Sequence, residues 1–163
     1  MKKLIYTLLI IIALTNNSFA AGSSSDSDST PKASDYTKAK KLIEAAKKYE
    51  KKEKIEKAQE RYAKAQKLLL KSNEIKPLQA DTLNYLGFTT RKLGDYDGGE
   101  KFYLQGLQIE PNHNGINEYL GELYVTTNRM DMAKERLEVL KNCGCEEYDQ
   151  LKEIIAGTKK SKY

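Results

Sequence analysis

Tyr85-Leu86-Gly87 and Tyr119-Leu120-Gly121 stand 34 residues apart, and Pro77 and Pro111 are separated by the same interval. A period of this length holds one helix-turn-helix unit, and such a unit can bury its apolar face only against its neighbours. Both glycines fall within runs of helical periodicity, where glycine is about 1 kcal/mol less favourable than alanine. A packing reason is therefore needed: a residue without a side chain lets a partner helix approach closely. Each proline closes the second helix of its unit, because proline cannot continue one.

Outward from these anchors, apolar residues recur at helical spacing on both sides. Tyr36, Ala39, Ile43, Ala46 and Tyr49 form one stripe, and Ile55, Ala58, Tyr62, Ala65 and Leu69 form the next. Ser34 or Asp35 can cap the first of these. Breaks at Leu93-Gly94-Asp95, Pro111-Asn112, Thr127-Asn128-Arg129 and Asn142-Cys143-Gly144 divide the remainder. The pattern predicts seven helices, near 36–51, 54–75, 79–93, 96–109, 113–127, 130–142 and 145–157, and no strand.

These motifs resemble the tetratricopeptide repeat (TPR) family, whose first helix carries a bulky residue, Leu-Gly and an aromatic. Its second helix carries Ala, an aromatic or Leu, Ala and a closing Pro. The middle unit, 80–113, supplies Leu83, Leu86, Gly87, Tyr103 and Pro111, and departs at Thr90, Gly99 and Gly106. With Gly98, these glycines make its second helix the expected weak point. The third unit, 114–145, supplies Leu120, Gly121, Tyr124, Ala133 and Leu137, and departs at Asn117 and Cys145. A first unit near 36–79 is degenerate. In the 34-residue register Tyr49, Ala65, Leu69 and Pro77 match, but Lys52-Glu53 replaces Leu-Gly. Tyr148, Leu151, Ile154 and Ile155 form the stripe of a cap at 145–157. The resemblance implies an all-α, right-handed superhelical stack of about three hairpins plus a C-terminal capping helix, over residues 36–157.

The beginning of the chain reads differently. Lys2-Lys3, the run Leu4 to Leu14 and Ser18-Phe19-Ala20 have the pattern of a cleavable signal peptide over residues 1–20. The run is too short for the ~20 residues of a membrane span. Residues 21–35 are a Ser-rich linker with no large apolar residue before Tyr36, and 158–163 form a basic tail. Loss of Lys2 and Lys3 lowers the formal charge from +5 to +3. Lys and Glu are interleaved along the helices, which argues against nucleic acid as a partner. A small exported bacterial TPR protein, periplasmic, is the expectation.

In the resembled family the first helices line a concave groove that holds a peptide or a partner's helix. By position, the resemblance assigns Asp81, Asn84, Phe88 and Arg91 from the middle unit, and Glu118, Glu122 and Thr126 from the third. Phe88 is expected to be exposed there. The Lys and Asn clamp that some members use for a terminal carboxylate has Glu and aromatic residues in its place, so a ligand with positive charge is favoured. Cys143-Gly144-Cys145 is a possible disulfide or thiol pair, read first as a structural turn. His113 is the only histidine, and with two thiols it falls short of a structural zinc site. No phosphate loop, nucleophile elbow or metal motif is present. The expectation is a non-catalytic protein-binding scaffold in the cell envelope, without cofactor or metal, whose partner is another protein or a peptide. Two alternatives stand beside it: a thiol or metal-handling factor acting through Cys143 and Cys145, and a structural self-associating repeat.

Overall fold

A computed structural model describes residues 34–161. The expected signal peptide and most of the expected linker lie outside the described residues. Seven helices follow one another: α1 (Asp35–Glu50), α2 (Ile55–Ile75), α3 (Ala80–Lys92), α4 (Tyr96–Ile109), α5 (Asn114–Thr126), α6 (Met130–Leu140) and α7 (Glu146–Ile155). Their ends fall within two residues of those read from periodicity, and no strand occurs among the described residues.

Short polar residues cap the starts of α1 and α4, and left-handed residues follow α3 and α5. Ser34 Oγ accepts from the Thr37 amide at 3.1 Å, and Asp95 Oδ1 accepts from the Gly98 amide at 2.8 Å, each satisfying a donor that the helix leaves over. Gly94 (φ +96°) and Asn128 (φ +58°) turn the chain between the helices of the second and third hairpins.

Helices α1/α2, α3/α4 and α5/α6 pair as hairpins, and α7 closes the end against α5 and α6. The packing reason for the two glycines lies in these pairs. The Tyr103 ring of α4 rests on Gly87 of α3, in the space any Cβ would occupy. On α5, a Cβ at Gly121 would stand 2.5 Å from Leu151 Cδ2 of the cap. Gly99 and Gly106, which depart from the usual Ala, also have close neighbours. A Cβ on Gly99 would be 3.0 Å from the Gly87 carbonyl oxygen, and one on Gly106 would run into Ile116 Cδ1 of the next hairpin. The weak helix propensity of α4 is thus exchanged for close approach on two sides.

The first hairpin corrects the sequence reading. Ala46, Ala58, Tyr62 and Ala65 precede Gly87, Gly99, Tyr103 and Gly106 by 41 residues in every case, and all eight are buried. The excess over the period is seven residues, or two helical turns, and α2 is 21 residues long where α4 is 14. Tyr49 and Lys52-Glu53 therefore do not mark the middle of a first helix: α1 ends at Glu50, and Glu53 (φ +55°) lies in the turn. In its true register the first hairpin carries small residues where the second carries glycine, and Tyr62 takes the place of Tyr103.

The other departures have local reasons. Asn117, buried where a bulky residue is usual, donates from Nδ2 to the carbonyls of Pro111 (3.0 Å) and His113 (3.1 Å), clasping the turn before α5. Thr90 Oγ1 accepts from Gln66 Nε2 at 2.8 Å and joins α3 to α2. Arg129 forks onto Glu100, with Nη1 to Oε1 at 2.9 Å and Nη2 to Oε2 at 2.7 Å, and ties the third hairpin to α4.

Gly87→Ala tests the seat most simply. The alanine gains about 1 kcal/mol of helix propensity, but it displaces a fully buried ring, for which overpacking costs about 1–3 kcal/mol. The expected outcome is a lower unfolding midpoint in urea or heat. A midpoint that rises would show that Tyr103 does not need the bare backbone.

Candidate functional site

The three first helices share one side of the stack. α1 touches α3 and α3 touches α5, whereas α2, α4 and α6 make no contact with one another. Elements that meet on one side and fan apart on the other produce a face that curves inward along α1, α3 and α5. Aromatic rings step along it: Tyr36 and Tyr85 meet edge to face at 5.9 Å, and Phe88 lies 5.2 Å from Tyr119. Lys40 stands 5.6 Å from the Tyr36 ring and 5.7 Å from the Tyr85 ring.

Beneath these rings the curved face has a polar floor. Arg91, 2% exposed, donates from Nη1 to the Tyr119 carbonyl at 2.6 Å and from Nη2 to Glu122 Oε2 at 3.3 Å. Its guanidinium lies 5.8 Å from the centre of Tyr103 and 6.0 Å from that of Tyr119. A residue of α3 thereby holds α5 by main chain and side chain together.

Five of the seven sequence-assigned groove residues are buried. Phe88 is 1% exposed and packs between Tyr62 and Tyr119, which corrects the expectation of an exposed ring. Arg91 and Glu122 are one ion pair in the floor and are not presented to a ligand. Their positions repeat at helical spacing on the inner side, but each is covered by the neighbouring hairpin. Thr126 is exposed at the far end of α5, where its hydroxyl donates to the Glu122 carbonyl at 2.9 Å.

Asp81, Asn84 and Glu118 are brought together. They line a hollow of about 400 Å³ at the start of α3 and α5, with Tyr85, Tyr119 and, from the cap, Glu147. The turn from α4 to α5 closes it with Glu110 and His113. His113 Nδ1 accepts from the Ile116 amide at 3.2 Å, so its ring hydrogen sits on Nε2 and is donated to Asp81 Oδ1 at 3.3 Å. One loop histidine thus caps α5 and steadies a carboxylate at the rim. A larger hollow of about 640 Å³ lies between the start of α1 and the end of α2, with Asp81 on its edge. Its own carboxylate, Asp35, is held by Lys71 at 3.0 Å and Lys38 at 3.2 Å, which keeps it below its ordinary titration range.

Sequence reasoning passed over Tyr85, Tyr119 and Glu147 as site residues. The two tyrosines are period mates whose recurrence was already visible, and Glu147 could be placed only once the cap was seen to reach α5. Cys143 and Cys145 are joined by a disulfide in the turn from α6 to α7, with Cα atoms 5.2 Å apart, an ordinary separation, and Gly144 at φ +61°. Among the described residues no group of His, Cys, Asp and Glu has the arrangement of a metal site, and no helix is long and apolar enough to cross a membrane.

No protein-family model matches the chain, and no curated protein matches it. Among solved structures, it is similar to the first TPR of Spaghetti (RPAP3) bound to the HSP90 peptide SRMEEVD, at 18% identity and a TM-score of 0.48, over 77% of this chain and 95% of that one. It is also similar to a chain of the CopN-Scc3 complex, at 17% identity and a TM-score of 0.48, over 85% of this chain and 83% of that one. Likeness of this degree leaves the functional reading to the chain's own geometry.

Two measurements probe the site's construction. Arg91→Met alone withdraws the guanidinium from the buried Glu122 carboxylate and is expected to cost about 3–5 kcal/mol, whereas Arg91→Met with Glu122→Leu recovers most of the loss. Equal losses in the single and double variants would contradict the pairing. Burial, first of all, holds the phenols of Tyr36, Tyr62, Tyr85, Tyr103 and Tyr119 above their ordinary value of 10, and pushes Tyr124 up to about 12. The folded state favours the neutral phenol, so this stability is whole below pH 10 and is lost as pH rises through the folded values. Tyrosinate absorbance and loss of helical circular dichroism are expected to rise together in strong alkali. Full ionisation with the helical signal intact would contradict this.

Proposed function

We propose that this stack of TPR-type hairpins is a non-catalytic scaffold that binds another protein or a peptide along the face formed by α1, α3 and α5. The observation that carries the reading is the curvature: first helices meet while second helices fan apart, so one side of the stack is a built trough. Its rings are steadied by edge contacts and its floor by the Arg91–Glu122 pair, so its shape is set before a ligand arrives. Such preorganisation suits binding of an extended segment, whose ordering cost is then the main one to offset. The pattern of residues 1–20 supports placing this scaffold outside the cytoplasm, in the periplasm, behind a cleaved signal peptide.

Charge reversal has to be made at carboxylates that are accessible. Asp81→Lys with Glu147→Lys leaves the buried pair untouched and reverses the rim of the inner hollow. In a pull-down from the exported fraction the double variant, shown to be folded by circular dichroism, is expected to lose partners that the parent protein retains. An unchanged set of partners would remove the inner face as the binding surface.

A further inference from the structure

The chain does not leave the stack where α7 ends. Gly157 (φ +72°) follows the helix and reverses it: its amide donates to the Ile154 carbonyl at 3.1 Å, and the Thr158 amide donates to the Glu153 carbonyl at 3.0 Å, the paired bonds of a Schellman turn. Thr158 Oγ1 donates to the same Glu153 carbonyl at 3.0 Å, and Lys159 Nζ lies 3.4 Å from the Glu153 carboxylate. The helix that the tail leaves thereby sets the direction in which it runs.

That direction leads to the inner face. Ser161 is half-buried, and its Oγ stands 3.5 Å from Oε2 of Glu122, which has no exposed surface and belongs to the polar floor. One repeat earlier, Arg91 is met by Glu122, 31 residues further along the chain. The position 31 residues beyond Glu122 is Glu153, an exposed carboxylate paired with Lys159. Glu153 cannot do for Glu122 what Glu122 does for Arg91, and Ser161 of the tail stands beside Glu122 instead. Charge favours the same placement: Lys159, Lys160 and Lys162 belong to the tail, and Glu118 and Glu122 lie one turn apart on α5.

Resting on the reading of the inner face as the binding surface, we propose that the tail from Thr158 onward is an internal occupant of the α5 end of that face, which a partner polypeptide displaces in order to bind there. The contact is built to yield. Thr158 to Ser161 include no large apolar residue, and Ser161 meets the floor through a single hydroxyl, so a segment that makes more contacts takes its place. A partner's apparent affinity is lowered by the fraction of molecules whose tail is in place, and removing the tail restores it.

Two ¹⁵N-labelled variants test this, a chain ended at Gly157 and the full chain with Ser161→Glu. The substitution sets a carboxylate against Glu122 and expels the tail without altering a residue of any helix, so it serves even where the shorter chain does not fold. Both variants are expected to shift the amides of α5 around Glu122 and to leave those of α1 unmoved. The probe is a peptide of residues 158–163, Thr-Lys-Lys-Ser-Lys-Tyr, added in trans. It is expected to return the α5 amides of the shortened chain toward their parent positions, and to bind the parent protein at least tenfold more weakly. The same peptide with Glu in place of Ser is expected not to bind. In a pull-down, both variants are expected to recover severalfold more partner than the parent protein does. Unmoved α5 amides in both variants, or a peptide that binds parent and shortened chains equally, would overturn the internal occupant and leave the scaffold reading standing. Shifted α5 amides with partner recovery unchanged would overturn the displacement and, with it, the inner face as the binding surface.

Discussion

The ring of Tyr103 lying on the bare backbone of Gly87 sets the distance between the helices of the middle hairpin, and the rest of the stack is spaced from there. With α4 held that close, its own glycines become contact points, Gly99 against the carbonyl of Gly87 and Gly106 against Ile116 of the following hairpin. The same device closes the end of the stack, where Leu151 of α7 lies over Gly121. The α3/α4 and α5/α7 pairs are thus each seated by a large side chain on a residue that has none. A hairpin isolated from its neighbours would leave Leu83, Leu86 and Ile116 in water, each worth about 1.5–3 kcal/mol when buried. That is why the cap belongs to the fold and not to its periphery.

The second constraint is polar. Arg91 and Glu122 together could have been replaced by apolar residues at no necessary loss of stability, since buried ion pairs seldom outdo a well-packed core. What the guanidinium adds is direction: it reaches a main-chain carbonyl and a carboxylate on α5 at once, and admits one register of α3 against α5. The inner face inherits its order from that register, because Tyr85, Tyr119 and Asn84 stand on the same two helices. The order of the trough follows from a group buried beneath it.

The helices, the two glycine seats and the cap were legible in the sequence because each leaves a local mark: a period of 34, a Gly inside a helical stripe, a Pro after it. The register of the first hairpin was not, because the two extra turns of α2 are ordinary helix and carry no punctuation of their own. The floor of the inner face was hidden for a different reason. Arg91 and Glu122 are 31 residues apart, and helical spacing places a residue on a side of its helix without saying whether the next hairpin covers it. The carboxylates of the hollow come from α3, α5, the turn before α5 and α7, and only the assembled stack brings them around Asn84.

A curved inner face and a hollow rich in carboxylates are the observations on which the proposed binding surface rests. Photo-crosslinking from single positions compares the two sides of the stack directly in the compartment where the protein resides. A crosslinker in place of Asp81, on the inner face, is predicted to yield discrete covalent adducts with a partner polypeptide, and one in place of the exposed Leu104 of α4, on the outer side, is predicted to yield none. Adducts from Leu104 with none from Asp81 would contradict the account at its centre.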